Sequence, residues 1–112
     1  MIEVILRYDE TDRPTGFSCK GHAGYAAAGE DIICAAVTAL ATTLIASLTD
    51  LLRIRDLTYH LQEGNISCRL GPKAIAEAGE VSLVNILFEA FELGCRQIAH
   101  SYDNQYVQVK RA

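Results

Sequence analysis

Alternation of apolar and polar residues at the start of the chain predicts a β-hairpin. In residues 2–8 every second side chain is apolar, beginning with Ile2, which is typical of a strand with one buried face. Residues 9–14 are polar and contain the proline of a turn, and residues 15–20 read as a second short strand. We therefore expect the chain to begin with two antiparallel strands.

A long uncharged stretch predicts the first helix. We expect Asp31 to be its N-cap, because a carboxylate accepts hydrogen bonds from the free N–H groups of a first helical turn. Residues 32–49 carry no charge, but the threonines and alanines among them suggest too little hydrophobicity for a membrane span. A helix buried on more than one side is expected. Its apolar side chains recur at helical spacing, namely Ile33, Val37, Leu40, Leu44, Leu48 and Leu51.

The second half of the chain repeats the order of two strands and a helix. Residues 57–61 and 66–70 read as strands joined by a tight turn, and residues 71–99 as one helix with Pro72 in its first turn. Residues 106–109 supply a last strand. The order β-β-α-β-β-α-β indicates an α+β fold, with a small antiparallel or mixed sheet of about five strands and two packed helices.

Length and charge restrict the class of protein. The 112 residues fit a single domain covering residues 1–112. Fourteen acidic residues against ten basic ones give a net charge of −4, which argues against direct nucleic-acid binding and suits a basic partner. The first residues lack the pattern of a secretory signal, so we expect a cytoplasmic protein that does not enter the membrane.

The cysteines add to this picture. Cys19, Cys34, Cys68 and Cys95 contain no C-x-x-C pair, which argues against zinc-ribbon and thioredoxin-like sites. In a cytoplasmic protein we expect these thiols to be reduced. No metal or other cofactor is expected, since a site built on Cys34 would need further ligands that the sequence does not place near it.

The strongest candidate chemistry lies around the start of the first helix. Cys34 would sit in the first turn, where free N–H groups and the helix dipole stabilise a thiolate and lower the pKa of the thiol. The same N–H groups would stabilise an oxyanion. His22, in the preceding glycine-rich segment, would take and return the proton. The charge of Asp31 would oppose the thiolate.

A simpler interpretation is open for each of these residues. A cysteine beside an apolar helix is often a small buried apolar residue, and a histidine in a loop is often a surface residue. Two of the other cysteines fall in predicted strands and one lies inside a predicted helix, while the other histidines end a strand or follow a helix. These weaker candidates are Cys19, Cys68, Cys95, His60 and His100.

At these residues the chain resembles a known family. The motif G-H-A at residues 21–23, followed by G-E-D-I-I-C-A-A at residues 29–36, is similar to the signature of the bacterial ribosomal-processing cysteine protease family, called Prp. Chain length and element order are also similar. The resemblance implies that Cys34 is the nucleophile, that His22 is its base and that Asp31 supports them. It also implies a small sheet with packed helices.

The resemblance extends to substrate and assembly. It implies removal of a short N-terminal extension from large-subunit ribosomal protein twenty-seven, and a homodimer, which would explain the uncharged first helix. Thr38 stands where relatives often have serine, so a supporting hydroxyl is kept. Three glycines would let the loop before the helix become ordered when substrate binds. They are Gly21, Gly24 and Gly29.

Two other functions remain open from the sequence. One is a non-catalytic, dimeric, ribosome-associated interaction domain, and the other is a redox-sensing thiol protein that uses Cys34 alone. The protease and the sensor both predict that Cys34 is alkylated well below about pH 8, ahead of the other three cysteines. Only the protease also requires His22.

Overall fold

A five-stranded mixed sheet is the framework of the computed structural model, which describes residues 1–26 and 31–112. The strands are β1 (Ile2–Tyr8), β2 (Pro14–Lys20), β3 (Leu57–Gln62), β4 (Asn65–Leu70) and β5 (Val107–Arg111). The helices are α1 (Ile32–Ala46), α2 (Ala74–Ala78) and α3 (Val81–Ser101). The predicted α+β class and the five strands are confirmed, with strand ends that differ from the prediction by at most two residues.

The strands lie in the order β3-β4-β2-β1-β5. Neighbouring strands are antiparallel, except that β5 runs parallel to β1, because α3 carries the chain back across the sheet before β5 begins. β3 is therefore an edge strand on the far side from the chain termini. The hairpin that joins β3 to β4 lies next to the end of β2, where Lys20 pairs with Asn65.

One face of the sheet forms the core with α1 and α3. Val4 and Leu6 of β1 are fully buried there, while the residues between them point to the opposite face. Phe17 of β2 packs on two aromatic rings of α3, with centroid distances of 6.2 Å to Phe88 and 4.7 Å to Phe91. The alternation visible in the sequence therefore marks the core face correctly.

Helix α1 has one buried and one open side. Ile33, Val37 and Leu44 are buried against the sheet and α3, while Ile32 is 56% exposed. The expectation of burial on more than one side is therefore wrong for the single chain. Together with a π-helical turn at Ser47–Leu51, the helix is also long and apolar enough, with a mean hydropathy of 2.1, to cross a membrane by length and composition alone. The expectation from the sequence that it is too polar for this was wrong.

The predicted single second helix is two helices. Gly79 ends α2 in a left-handed conformation, with φ of +84°, and its N–H donates to the carbonyl of Ile75. Glu80 is extended, and α3 begins at Val81. Gly79 therefore acts as a C-cap, and the chain changes direction between the two helices.

Candidate active site

An open groove of about 1010 Å³ lies between the start of α1 and the β3–β4 hairpin. His22, two residues after β2, and Cys34, in the first turn of α1, both line it. The segment that joins them is described as far as residue 26 and again from Asp31. The structure therefore brings the two predicted reactive side chains to one cavity.

Asp31 caps α1 as predicted. One carboxylate oxygen accepts hydrogen bonds from the N–H groups of Ile33 and Cys34, each at 3.0 Å, and the other accepts from the N–H of Tyr25 at 3.1 Å. Burial acts to raise the pKa of Asp31, but these N–H donors outweigh it and the pKa is lowered. The carboxylate is thus ionised at neutral pH and ties the loop before the helix to its first turn.

The hydrogen bonds of Asp31 correct one prediction from the sequence. The N–H groups of Ile33 and Cys34 were expected to be free to stabilise an oxyanion, but the capping carboxylate occupies both. The N–H of Ala35 donates to the Asp31 carbonyl. A capping acid satisfies the same donors that an oxyanion would need, so these two roles exclude each other here.

Cys34 is a half-buried thiol with its pKa raised, not lowered. Burial is the main cause, and the neighbouring Asp31 carboxylate adds to it by hydrogen bonding and by charge. The N–H of Ala23, which donates to Cys34 Sγ at 3.2 Å, acts in the opposite direction but does not compensate. The predicted low pKa is therefore wrong for this state of the protein, because desolvation and the nearby Asp31 charge outweigh the Ala23 N–H.

His22 is exposed in the groove and lies against the tip of the β3–β4 hairpin. Among the described residues no hydrogen bond joins His22 to Cys34, whose sulfur is contacted by the Ala23 N–H instead. A thiolate–imidazolium pair is therefore not present in this arrangement.

The remaining predicted site residues lie around the same groove. Thr38 is one turn after Cys34 on the open side of α1 and lines the groove. Gly21 and Gly24 have positive φ angles of +100° and +73°, which fit glycine in this loop. Gly29 lies outside the described residues. Whether Thr38 or the glycines act in catalysis stays a prediction.

Of the weaker candidates, Cys19 lines the groove as a buried side chain, and the other four lie outside it. Burial raises the pKa of Cys68 to about 11 and that of Cys95 to about 12, and it also raises the pKa of Cys19. All four thiols are unpaired. His60 lies within β3, and His100 lies inside α3 and not after the second helix as predicted. Within residues 1–26 and 31–112, no three histidine, cysteine or acidic side chains meet in a metal-binding group.

Sequence reasoning missed the far wall of the groove. Leu61, Gly64 and Ile66, from the β3–β4 hairpin, line it opposite the start of α1. The sequence marks this segment as a hairpin, but gives no local signal that it meets His22. Its position depends on the pairing of β4 with β2, which are far apart in the chain.

Neutralising Asp31 should make Cys34 more reactive. Asp31→Asn removes the charge that raises the pKa of the thiol but keeps an oxygen that caps the helix, so a larger thiolate fraction forms at neutral pH. We expect Cys34 alkylation by iodoacetamide at pH ~7 to be faster and its pH midpoint to move down, since the thiolate fraction at a fixed pH increases as the pKa falls. Peptide mapping by mass spectrometry across a pH series measures this.

Asp50→Asn is the matched control for that experiment, because it removes an equal charge at the opposite end of the α1 segment. It should leave the pH midpoint of Cys34 alkylation in place. An Asp31→Asn midpoint equal to that of the native chain would contradict the role given to the Asp31 charge.

Comparisons with known proteins identify the family. The family model described as Cysteine protease Prp matches residues 1–108. The fold is similar to that of the Prp ribosomal processing protease from S. aureus in complex with a covalently linked product peptide. The TM-score is 0.81 at 20% identity, with 100% of each chain covered. The same protease with a substrate peptide gives a TM-score of 0.77 at 19% identity, again with 100% of each chain covered.

A second solved structure is more similar in sequence. SMU.848 from Streptococcus mutans is 30% identical, with a TM-score of 0.73 and coverage of 99% of this chain and 93% of that one. No curated protein sequence matches the chain. Since the family model spans nearly the whole chain, and His22 and Cys34 of the two motifs line one groove, the chain belongs to the cysteine protease Prp family.

Proposed function

We propose that this protein is the endopeptidase that removes the N-terminal extension of large-subunit ribosomal protein twenty-seven, with Cys34 as nucleophile and His22 as base. The observation that carries the proposal is that both side chains line one open groove in a chain of the cysteine protease Prp family. A similar fold, the S. aureus protease, has been solved with a substrate peptide and with a product peptide.

The groove suits an extended, largely apolar peptide. Leu61 is half exposed along one wall, and the open side of α1 forms the other with small uncharged side chains such as Ala35 and Thr38. Acidic groups line the groove as well, at Asp31 and Glu63, and they favour a basic ribosomal protein over an acidic one. An apolar segment within a basic chain fits both features.

The reaction follows from the state of Cys34. Because the pKa of Cys34 is raised, the sulfur carries its proton until substrate binds, and His22 takes that proton as Sγ attacks the carbonyl carbon. The tetrahedral intermediate collapses to a thioester as His22 donates the proton to the leaving amine. Water, deprotonated by His22, then attacks the thioester and releases the acid product and the thiol.

The oxyanion of the intermediate needs a donor other than the helix N–H groups that Asp31 occupies. The N–H of Ala23 is the best placed of the described donors, since it already contacts Cys34 Sγ at 3.2 Å. When Sγ becomes bonded to the carbonyl carbon, this N–H is released from the sulfur and lies next to the new oxyanion.

Assembly and location complete the proposal. Two exposed apolar side chains of the α1 segment lie outside the groove, Ile32 and Leu51, and they support a homodimer in which a second copy covers them. The unpaired thiols support a reducing, cytoplasmic location. The proposed substrate is the polypeptide of the ribosomal protein, so the cleavage reaction needs neither a nucleic acid nor a membrane.

The alternatives from the sequence are less well supported. A redox-sensing thiol needs a low pKa, whereas the pKa of Cys34 is raised. A non-catalytic interaction domain has no need of a histidine and a cysteine in one groove, and the chain belongs to a protease family.

The test is direct processing of the full-length ribosomal protein. We expect incubation with the native chain to release one defined N-terminal fragment, seen by mass spectrometry as a shortened substrate. The ribosomal protein without its extension is the matched control and should keep its mass. An unchanged full-length substrate, across a range of pH and enzyme concentration, would overturn the proposal.

A further inference from the structure

The tip of the β3–β4 hairpin meets the histidine of the groove. Gly64 lies in the turn between the two strands with a φ angle of +75°, a conformation that glycine adopts without strain. Its carbonyl accepts a hydrogen bond of 2.9 Å from the N–H of Gly21. This bond continues the pairing of β2 with β4 by one step beyond Lys20 and Asn65, so the residue next to His22 is tied to the hairpin.

The imidazole ring occupies the space beside Gly64. A Cβ added to Gly64 would lie 2.7 Å from Nε2 and 3.0 Å from Cε1 of His22. Both distances are shorter than ordinary carbon contacts of about 3.5 Å or more. The His22 ring therefore lies where a side chain of residue 64 would otherwise be, and any side chain at that position would displace the ring.

The backbone before His22 is confined from the other side as well. Gly21 has a φ angle of +100°, and a Cβ there would overlap the carbonyl oxygen of Met1. His22 thus follows a residue that is held between β1 and the hairpin. With its backbone fixed and its ring against Gly64, the imidazole has a defined place in the groove although it makes no hydrogen bond to Cys34 among the described residues.

We propose that Gly64 is a positioning residue for His22, and that its lack of a side chain sets where the catalytic imidazole stands relative to Cys34. This inference rests on the proposed function. Gly64 has no group of its own that reacts, so its effect is carried entirely by the ring that it supports.

Gly64→Ala should lower kcat with little change in KM. The ring must move by roughly 0.8 Å to regain ordinary contact, and misplacement by about 1 Å costs on the order of 100-fold in rate. We expect a 10- to 100-fold loss in kcat for a peptide that spans the cleavage site, at nearly unchanged KM. Steady-state kinetics on the folded variant measure both constants.

Gly79→Ala is the matched control. Gly79 also has a positive φ, of +84°, but an added Cβ there would meet nothing within 4 Å. The substitution Gly79→Ala therefore introduces a similar backbone strain far from the groove and should leave kcat unchanged. If the native chain cleaves the peptide and Gly64→Ala has the same kcat as Gly79→Ala, the positioning role of Gly64 is wrong while the proposed function stands. Failure of the native chain to cleave would instead overturn the proposed function.

A double-variant cycle separates ring displacement from backbone strain. In the His22→Ala background, Gly64→Ala should lower the thermal unfolding midpoint no more than Gly79→Ala does, because the ring that it would strike is gone. In the native background it should lower the midpoint further. If Gly64→Ala alone fails to fold, the double variant should fold. Equal losses in the two backgrounds, or a double variant that stays unfolded, would overturn the positioning role.

Discussion

Cys34→Ala is expected to abolish release of the N-terminal fragment. The substitution removes the atom that bonds to the carbonyl carbon. The other thiol that lines the groove, Cys19, is buried and its pKa is raised by that burial, so it does not replace Cys34. We expect kcat/KM to fall by at least ~10⁴-fold, since removing the nucleophile of a covalent mechanism costs on the order of 10⁶-fold in kcat in a well-studied protease. Cleavage of the ribosomal protein, followed by mass spectrometry, measures the loss.

Cys68→Ala is the control for Cys34→Ala, because it also deletes a thiol but in the core. Burial raises the pKa of Cys68 to about 11, and the residue is only 4% exposed, so it cannot react with a peptide. The variant should cleave at the native rate while it unfolds at a lower temperature. Full activity in Cys34→Ala, or loss of activity in folded Cys68→Ala, would contradict the assignment of the nucleophile.

His22→Ala is expected to lower kcat/KM by about 10²- to 10⁴-fold, the range for loss of a general acid–base group. The raised pKa of Cys34 makes this loss depend on pH. Without a base, the attacking thiolate must form by simple ionisation, so the residual rate should increase as the pH rises toward the pKa of the thiol. A pH profile of kcat/KM for native chain and variant tests both statements.

The other histidines provide controls for His22→Ala. His60 lies exposed on β3 and His100 lies in the last turn of α3, and neither lines the groove. His60→Ala and His100→Ala should keep native kcat/KM. If His22→Ala cleaves as well as these two variants, Cys34 acts without a histidine base and the proposed reaction is wrong.

Much of the architecture could be predicted from the sequence, because it depends on neighbouring residues. Alternation in residues 2–8 marks the core face of β1. Asp31 caps α1 because its side chain accepts hydrogen bonds from N–H groups two and three residues further along the chain. The motif segments around His22 and Cys34 point to the family for the same reason, since each is a short run of adjacent residues. Gly79 shows the limit of local patterns, because a glycine inside an apolar pattern does not by itself say whether a helix continues or ends.

The sequence alone determined the order of the strands, the helix cap and the candidate pair, since each is encoded within a few residues. The direction of the Cys34 pKa shift depended on the tertiary structure, because desolvation of the thiol depends on the residues packed around it and is the largest cause of the shift. Contact between Gly64 and His22 was likewise decided only in three dimensions. It follows from the pairing of β4 with β2, which joins segments that no local pattern in the sequence connects.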